Sequence, residues 1–175
     1  MKRLILAVVL TCYALGNSAQ PKEEEVLKRS LLGQKFPAFE VQKWLGEKPD
    51  TKGKYVLVDF WNILAYPVIH RTVPHQNQLA EKFKDKLCII GLSSEDPYIV
   101  SLMVDPVIEY YNGIIDYRIE EELFDIQAWP ATYLINPEGI VIWEGYVLKE
   151  GQGNRNTFNL TEKKLTELLT KQERK

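Results

Sequence analysis

The sequence is short of sulfur: its 175 residues include two methionines and two cysteines, Cys12 and Cys88. So few cysteines exclude a disulfide-stapled scaffold, and a chain of this length buries roughly two thirds of its unfolded surface and needs neither disulfide nor metal to fold. An excess of positive charge is also missing. Lys and Arg number 22 against 24 Asp and Glu, giving a net charge of -2, with no basic stripe, which excludes a nucleic-acid binder working by phosphate neutralisation. Glycine (10) and proline (9) are too few for a collagen-like chain, and 45% hydrophobic with 26% charged residues is not the composition of a disordered one. No apolar run reaches the roughly 20 residues of a membrane-spanning helix. A Walker loop, a dinucleotide fingerprint, a zinc motif and a nucleophile elbow are all lacking, so nothing calls for a cofactor or a metal.

What is present begins with a three-part N-terminus. Met1-Lys2-Arg3 is cationic, Leu4 to Leu15 is mostly apolar, and Gly16-Asn17-Ser18-Ala19 supplies small residues before Gln20. That is the layout of a secretory signal peptide over residues 1–19, with cleavage near Ser18 or Ala19. Acylation of Cys12 as a lipid anchor is the alternative, set back by Thr11 before it and the short run preceding it. The expected product is one exported domain over residues 20–175, its core at 34–172, periplasmic or secreted. Cleavage also removes Cys12 and leaves Cys88 as the single thiol, so no disulfide within the chain is available.

Along that domain, Glu23 to Leu32 reads as a short amphipathic helix or tail ended by Gly33, and Phe36 to Val41 as an edge strand containing Pro37. Tyr55-Val56-Leu57-Val58-Asp59-Phe60-Trp61 is β-branched and aromatic, as a buried central strand should be. From Val68 to Lys86 the spacing turns helical, with Val73, Leu79 and Phe83 inward, Gln76, Gln78, Glu81, Lys82 and Lys84 outward, and Pro74 as a kink. Leu87 to Leu92 is a second buried strand. Ser94 is the expected cap of a helix running to Tyr111 and stopped by Asn112-Gly113, followed by a strand over Ile114 to Ile119 and a short helix over Glu120 to Phe124. Ala131 to Ile135 and Gly139 to Trp143 form a hairpin around Asn136-Pro137-Glu138-Gly139. Val147 to Phe158 reads as a loop, and Asn159 or Thr161 caps a closing helix striped by Leu165, Leu168 and Leu169. Alternating strands and helices ending in a hairpin and helix give an α/β domain: a central mixed β-sheet flanked by helices.

Several strings in this order resemble the thioredoxin fold, in its exported TlpA/ResA-like branch. They are Val56 to Trp61, Pro74-His75-Gln76-Asn77-Gln78-Leu79, Ile90-Gly91-Leu92-Ser93-Ser94-Glu95, Trp129-Pro130-Ala131-Thr132-Tyr133-Leu134-Ile135, and Pro137 to Gly145. The resemblance implies a thioredoxin-like fold over about Gly33 to Gly145 plus the last helix. It also implies a Cys-x-x-Cys motif after Trp61, at a helix start that would lower the thiol pKa. Here the stretch reads Asn62-Ile63-Leu64-Ala65-Tyr66-Pro67-Val68-Ile69-His70. Aligned from Trp61, the cysteine positions are Ala65 and Val68; aligned from Pro74 they are Tyr66 and Ile69. Neither pair holds sulfur, and thiol-disulfide exchange requires it.

The resemblance further implies that Asp59 occupies the position of a buried proton-managing acid and that Pro130 is the cis-proline facing the motif. The groove between them would then be bordered by Trp61, Tyr66, Pro67, Trp129 and Pro130, an aromatic surface suited to a protein or peptide of the cell envelope. Each residue also has a structural reading: Asp59 as a relic, Trp61 as packing, and Trp129 as a plug of the groove. His70 and His75, five apart, do not share one helix face as metal ligands would. Cys88 lies in an apolar strand and reads as core; an oxidoreductase acting through Cys88 or a partner's cysteine is the enzymatic alternative. Asn159-Leu160-Thr161 fits both a glycosylation sequon and a helix cap. The expectation is therefore an exported thioredoxin-like domain that binds rather than reacts.

Overall fold

Tyr55–Phe60 lies at the middle of a seven-stranded mixed sheet, as its β-branched and aromatic composition leads one to expect. The computed structural model describes residues 30–147, 149 and 159–171; the expected signal peptide, Cys12, the amphipathic segment before residue 30 and most of the loop after Val147 lie outside them. The strands are β1 (Lys43–Trp44), β2 (Tyr55–Phe60), β3 (Leu87–Ser93), β4 (Tyr111–Ile114), β5 (Ala131–Ile135), β6 (Val141–Val147) and β7 (Asn159–Leu160), in the order β1-β4-β3-β2-β5-β6-β7. β2 runs parallel to β3, β3 to β4 and β6 to β7, whereas β5 is antiparallel to β2 and β6, and β1 to β4. The helices are α1 (Tyr66–Lys82), α2 (Pro97–Ser101) and α3 (Glu162–Lys171). Among the described residues no helix is long and apolar enough to cross a membrane.

Alternation along β2 sends its side chains into two cores. Leu57 joins Ile69, Val73 and Leu79 of α1 and Leu165 and Leu169 of α3 on one face. Val58 and Phe60 enter the other, where Phe36, Phe39, Phe124 and Tyr133 gather; the Phe60 and Phe124 rings are 4.7 Å apart. That aromatic cluster explains a departure from expectation. Phe36 to Val41 is not a strand: Lys35 makes a single bridge to Ile140, and Phe36 and Phe39 both turn onto Phe124, at 5.1 and 5.6 Å. Residues three apart on a strand would face opposite ways, so burial of both rings overrides extended pairing.

The crossover from β3 to β4 departs furthest. The helix expected from Ser94 to Tyr111 is the short α2, capped by Asp96, whose carboxylate accepts the Tyr98 N–H at 2.7 Å. Pro106, without an amide proton, falls inside the expected span and is incompatible with a continuing helix. An open groove of about 580 Å³ lies between α1 and the starts of β3 and β4. Asn112-Gly113, expected to stop a helix, instead lies within β4 opposite Trp44. A Cβ on Gly113 would stand 2.7 Å from Val41 Cγ1, so glycine lets the β1 segment approach. The strand expected over Ile114 to Ile119 accordingly ends at Ile114, and the short helix after it is one π-type turn, Ile119–Leu123.

Elsewhere the expected elements hold. α1 begins earlier than expected, at Tyr66, and carries Pro74 within it. The hairpin turns at Asn136, whose backbone N–H reaches the Ile140 carbonyl at 2.9 Å, with Gly139 at φ +83°. Thr161, not Asn159, caps α3: its Oγ1 accepts the Lys164 N–H at 3.3 Å, while Asn159 belongs to β7.

Candidate functional site

β2 and β3 deliver their C-terminal ends to one edge of the domain, where the chain leaves Trp61 and turns into α1. Asn62 folds its side chain back to accept the Leu64 N–H at 2.8 Å, opening a 3-10 turn over Ile63–Ala65 that leads directly into α1. Pro67 sits in the first turn of α1, where its missing N–H leaves no partner unsatisfied. The positive end of this turn attracts an anion. The anion present is a carboxylate: Glu95, just beyond β3, accepts the Ile63 N–H at 3.1 Å. Of the motif positions, Tyr66 is exposed, Ala65 and Val68 are half-buried and Ile69 is buried.

The expected groove residues separate on inspection. Trp61 is core, 2% exposed, with its indole N–H on Asn112 Oδ1 at 3.2 Å; it offers no surface to a partner. Tyr66 and Pro67 are exposed, and the Tyr66 ring packs edge-on against His70 at 4.1 Å. Pro130 is buried behind a cis bond to Trp129. Trp129 is half-buried, packed against the aromatic core, and its indole N–H donates to Glu120 Oε2 at 3.2 Å.

Beneath α1 lies a buried polar layer. Asp59 Oδ1 accepts from Thr132 Oγ1 at 2.6 Å and Oδ2 from Gln76 Nε2 at 2.9 Å. Burial pushes its pKa up to about 6, against the lowering effect of both hydrogen bonds. The buried Tyr110 hydroxyl is raised well above its ordinary value, by burial first and then by the charge on Asp59. The Gln76 carbonyl oxygen has no partner.

Gln76 was expected on the outer face; it is fully buried and anchors Asp59. Helical spacing did contain the signal, since residues 69, 73, 76 and 80 follow one stripe. Glu120 was missed altogether. It is 3% exposed, accepts from both Ser94 and Trp129, and is held above the usual carboxylate range chiefly by burial. In sequence it hides in the run Glu120-Glu121-Glu122, which reads as a solvated face.

The remaining candidates lie apart. Burial pushes the Cys88 thiol up to about 11. Cys88 stands near the start of β3, roughly 16 Å of strand from the edge where α1 begins. His75 is buried with no hydrogen-bond partner, and His70 Nδ1 is 3.9 Å from Asp105 Oδ2. No group of three metal-ligating side chains occurs among the described residues.

No protein-family model matches the sequence, and no curated protein does. Solved structures do match. The thioredoxin domain of a thiol-disulfide oxidoreductase from Bacteroides vulgatus aligns at TM-score 0.57 and 24% identity, over 66% of this chain and 89% of that one. A thiol-disulfide isomerase from Corynebacterium glutamicum aligns at 0.58 and 15%, over 79% and 95%. The exposed lipoprotein thioredoxin of Streptococcus pneumoniae aligns at 0.51 and 13%, over 69% and 86%. The chain has a thioredoxin-like fold.

Proposed function

From a thioredoxin-like fold with no sulfur at the motif positions that follow β2, we propose that this chain is an exported, non-catalytic module that binds a protein or peptide at the edge where β2, β3 and α1 meet. One observation carries the reading. Ala65, Tyr66, Val68 and Ile69 fill the motif positions, and the amide that opens this turn is already held by Glu95. None of those side chains can form a mixed disulfide. The single thiol of the domain argues the same way, because Cys88 is buried, raised in pKa and near the far end of β3. Exposed Leu64, at 85%, and Tyr66, at 50%, supply apolar surface at the edge.

The test selects a displayed library of random peptides on the mature protein and on its Leu64→Ser, Tyr66→Ala double variant. Peptides that bind the native protein and lose at least about tenfold in affinity on the variant support the reading, since truncation of interface anchors has effects of that size. Peptides indifferent to both substitutions contradict it.

A further inference from the structure

The edge described above continues onto the crossover between β3 and β4. Three contacts seven residues apart tie that crossover to α1 and the turn that leads into it: Ile63 N–H to Glu95 Oε2 (3.1 Å), His70 Nδ1 to Asp105 Oδ2 (3.9 Å), and Asn77 Nδ2 to the Val107 carbonyl (2.8 Å). Val100 is buried and Met103 and Ile108 pack on the core, while other apolar side chains of this segment point outward. Tyr98 is 68% exposed, Leu102 56% and Val104 80%, and the segment that holds them meets the α1 edge where Asp105, next to Val104, reaches His70, the residue against which Tyr66 packs at 4.1 Å. So many large apolar side chains on one surface mark an interaction site.

Charge on the crossover itself has one sign. From Leu87 to Ile115 the sequence carries four carboxylates, Glu95, Asp96, Asp105 and Glu109, and no Lys, Arg or His. Glu95, Asp96 and Asp105 border the apolar ridge itself. The nearest cation on α1, Arg71, folds back to the Pro67 carbonyl at 3.2 Å, and Lys82 lies at the far end of that helix.

Building on the binding reading, we infer that the ridge Leu64, Tyr66, Tyr98, Leu102 and Val104, bordered by Glu95, Asp96 and Asp105, receives a cationic amphipathic segment of a partner protein. Apolar side chains of that segment cover the ridge, and its Lys or Arg side chains meet the bordering carboxylates. A neutral partner would leave the carboxylates desolvated and unpaired, and an acidic one would be repelled.

The test uses three synthetic 14-residue peptides with leucine at the same helical spacing and lysine, serine or glutamate at every other position, titrated calorimetrically into the mature protein. The lysine peptide is expected to bind at least about tenfold more tightly than the serine peptide, the glutamate peptide not measurably, and the lysine peptide to weaken several-fold between 50 and 300 mM salt. Asp96→Asn with Asp105→Asn is expected to weaken the lysine peptide about three- to tenfold and leave the serine peptide unchanged. Leu102→Ser with Val104→Ser is expected to weaken both. Equal binding of the lysine and glutamate peptides, or indifference of the lysine peptide to the two asparagines, overturns the inference. If the serine peptide binds as well as the lysine peptide and is lost on Leu102→Ser with Val104→Ser, a binding edge stands without charge selection. Binding by none of the three, or binding unmoved by any of these substitutions, overturns both readings.

Discussion

Replacing Asp59 by Asn is expected to make the protein more stable at neutral pH. The carboxyl titrates at about 6 in the fold against an ordinary 3.8, a difference equivalent to about 3 kcal/mol. Because the folded value is the higher one, the fold binds the proton more tightly than the unfolded chain. The associated stability is fully present below about pH 4, is lost as pH rises through about 6, and is gone at pH 7.5. Asn carries no charge to desolvate. Its side-chain oxygen can still accept from Thr132, and its amide nitrogen needs an acceptor where Gln76 now donates. Rotating the Gln76 amide supplies one, because the Gln76 carbonyl oxygen has no present partner. The value of about 6 already counts both hydrogen bonds to the ionised form, and an imperfect fit of the amide returns part of the gain, so Asp59→Asn should add about 1–3 kcal/mol at pH 7.5 and about 2 kcal/mol less than that at pH 4.5. Urea unfolding of both proteins by tryptophan fluorescence at pH 4.5, 6 and 7.5 measures this. Subtracting one curve from the other cancels the titration of every distant group. A difference that stays flat with pH, or a variant less stable at pH 7.5 than the native protein, would falsify the reasoning.

The Cys88 thiol, buried and raised to about 11, should be inert at pH 8, reacting with an aromatic disulfide reagent at least about a hundredfold faster in urea than in the fold; equal rates would sink the core assignment. Gly113→Ala should lose about 1–3 kcal/mol, because the new methyl meets Val41 Cγ1 at 2.7 Å; an unchanged urea midpoint would show that β1 yields freely. Trp129→Phe keeps an aromatic ring against the core but takes one donor from the buried Glu120 carboxylate. It should lower stability by about 1–2 kcal/mol, and a variant as stable as the native protein would show that this hydrogen bond does not hold the side chain.

The parts of the fold legible in the sequence are those where one physical demand dominates. β2, β3 and β5 are continuous apolar runs with both faces covered, and such runs announce themselves. The turn at Asn136 to Gly139 is legible because few residues tolerate its backbone. The β3 to β4 crossover was not. A helix running from Ser94 to Tyr111 is the expectation there, yet Pro106 falls within the span and several apolar residues, Leu102 and Val104 among them, end up on the surface. Phe36 and Phe39 follow long-range demand too, since only the position of Phe124, far along the chain, explains why they abandon extended pairing. At the candidate site, the missing sulfur was readable at once, and the carboxylates around it were not. Glu95 and Glu120 gain their roles from partners distant in sequence, Ile63 for one and Trp129 for the other, and nothing in the local acidic strings signals those contacts. Trp61 shows the reverse case: an aromatic side chain expected at the groove is fully accounted for by packing and one hydrogen bond to Asn112.

The central claim, that this thioredoxin-like fold operates without thiol chemistry, is tested most directly by reduction of insulin disulfides in the presence of dithiothreitol. The domain of residues 20–175 should leave the precipitation rate at that of dithiothreitol alone, at every protein concentration up to the insulin concentration. A rate that climbs in proportion to the protein, and is abolished by Cys88→Ser, would contradict the account.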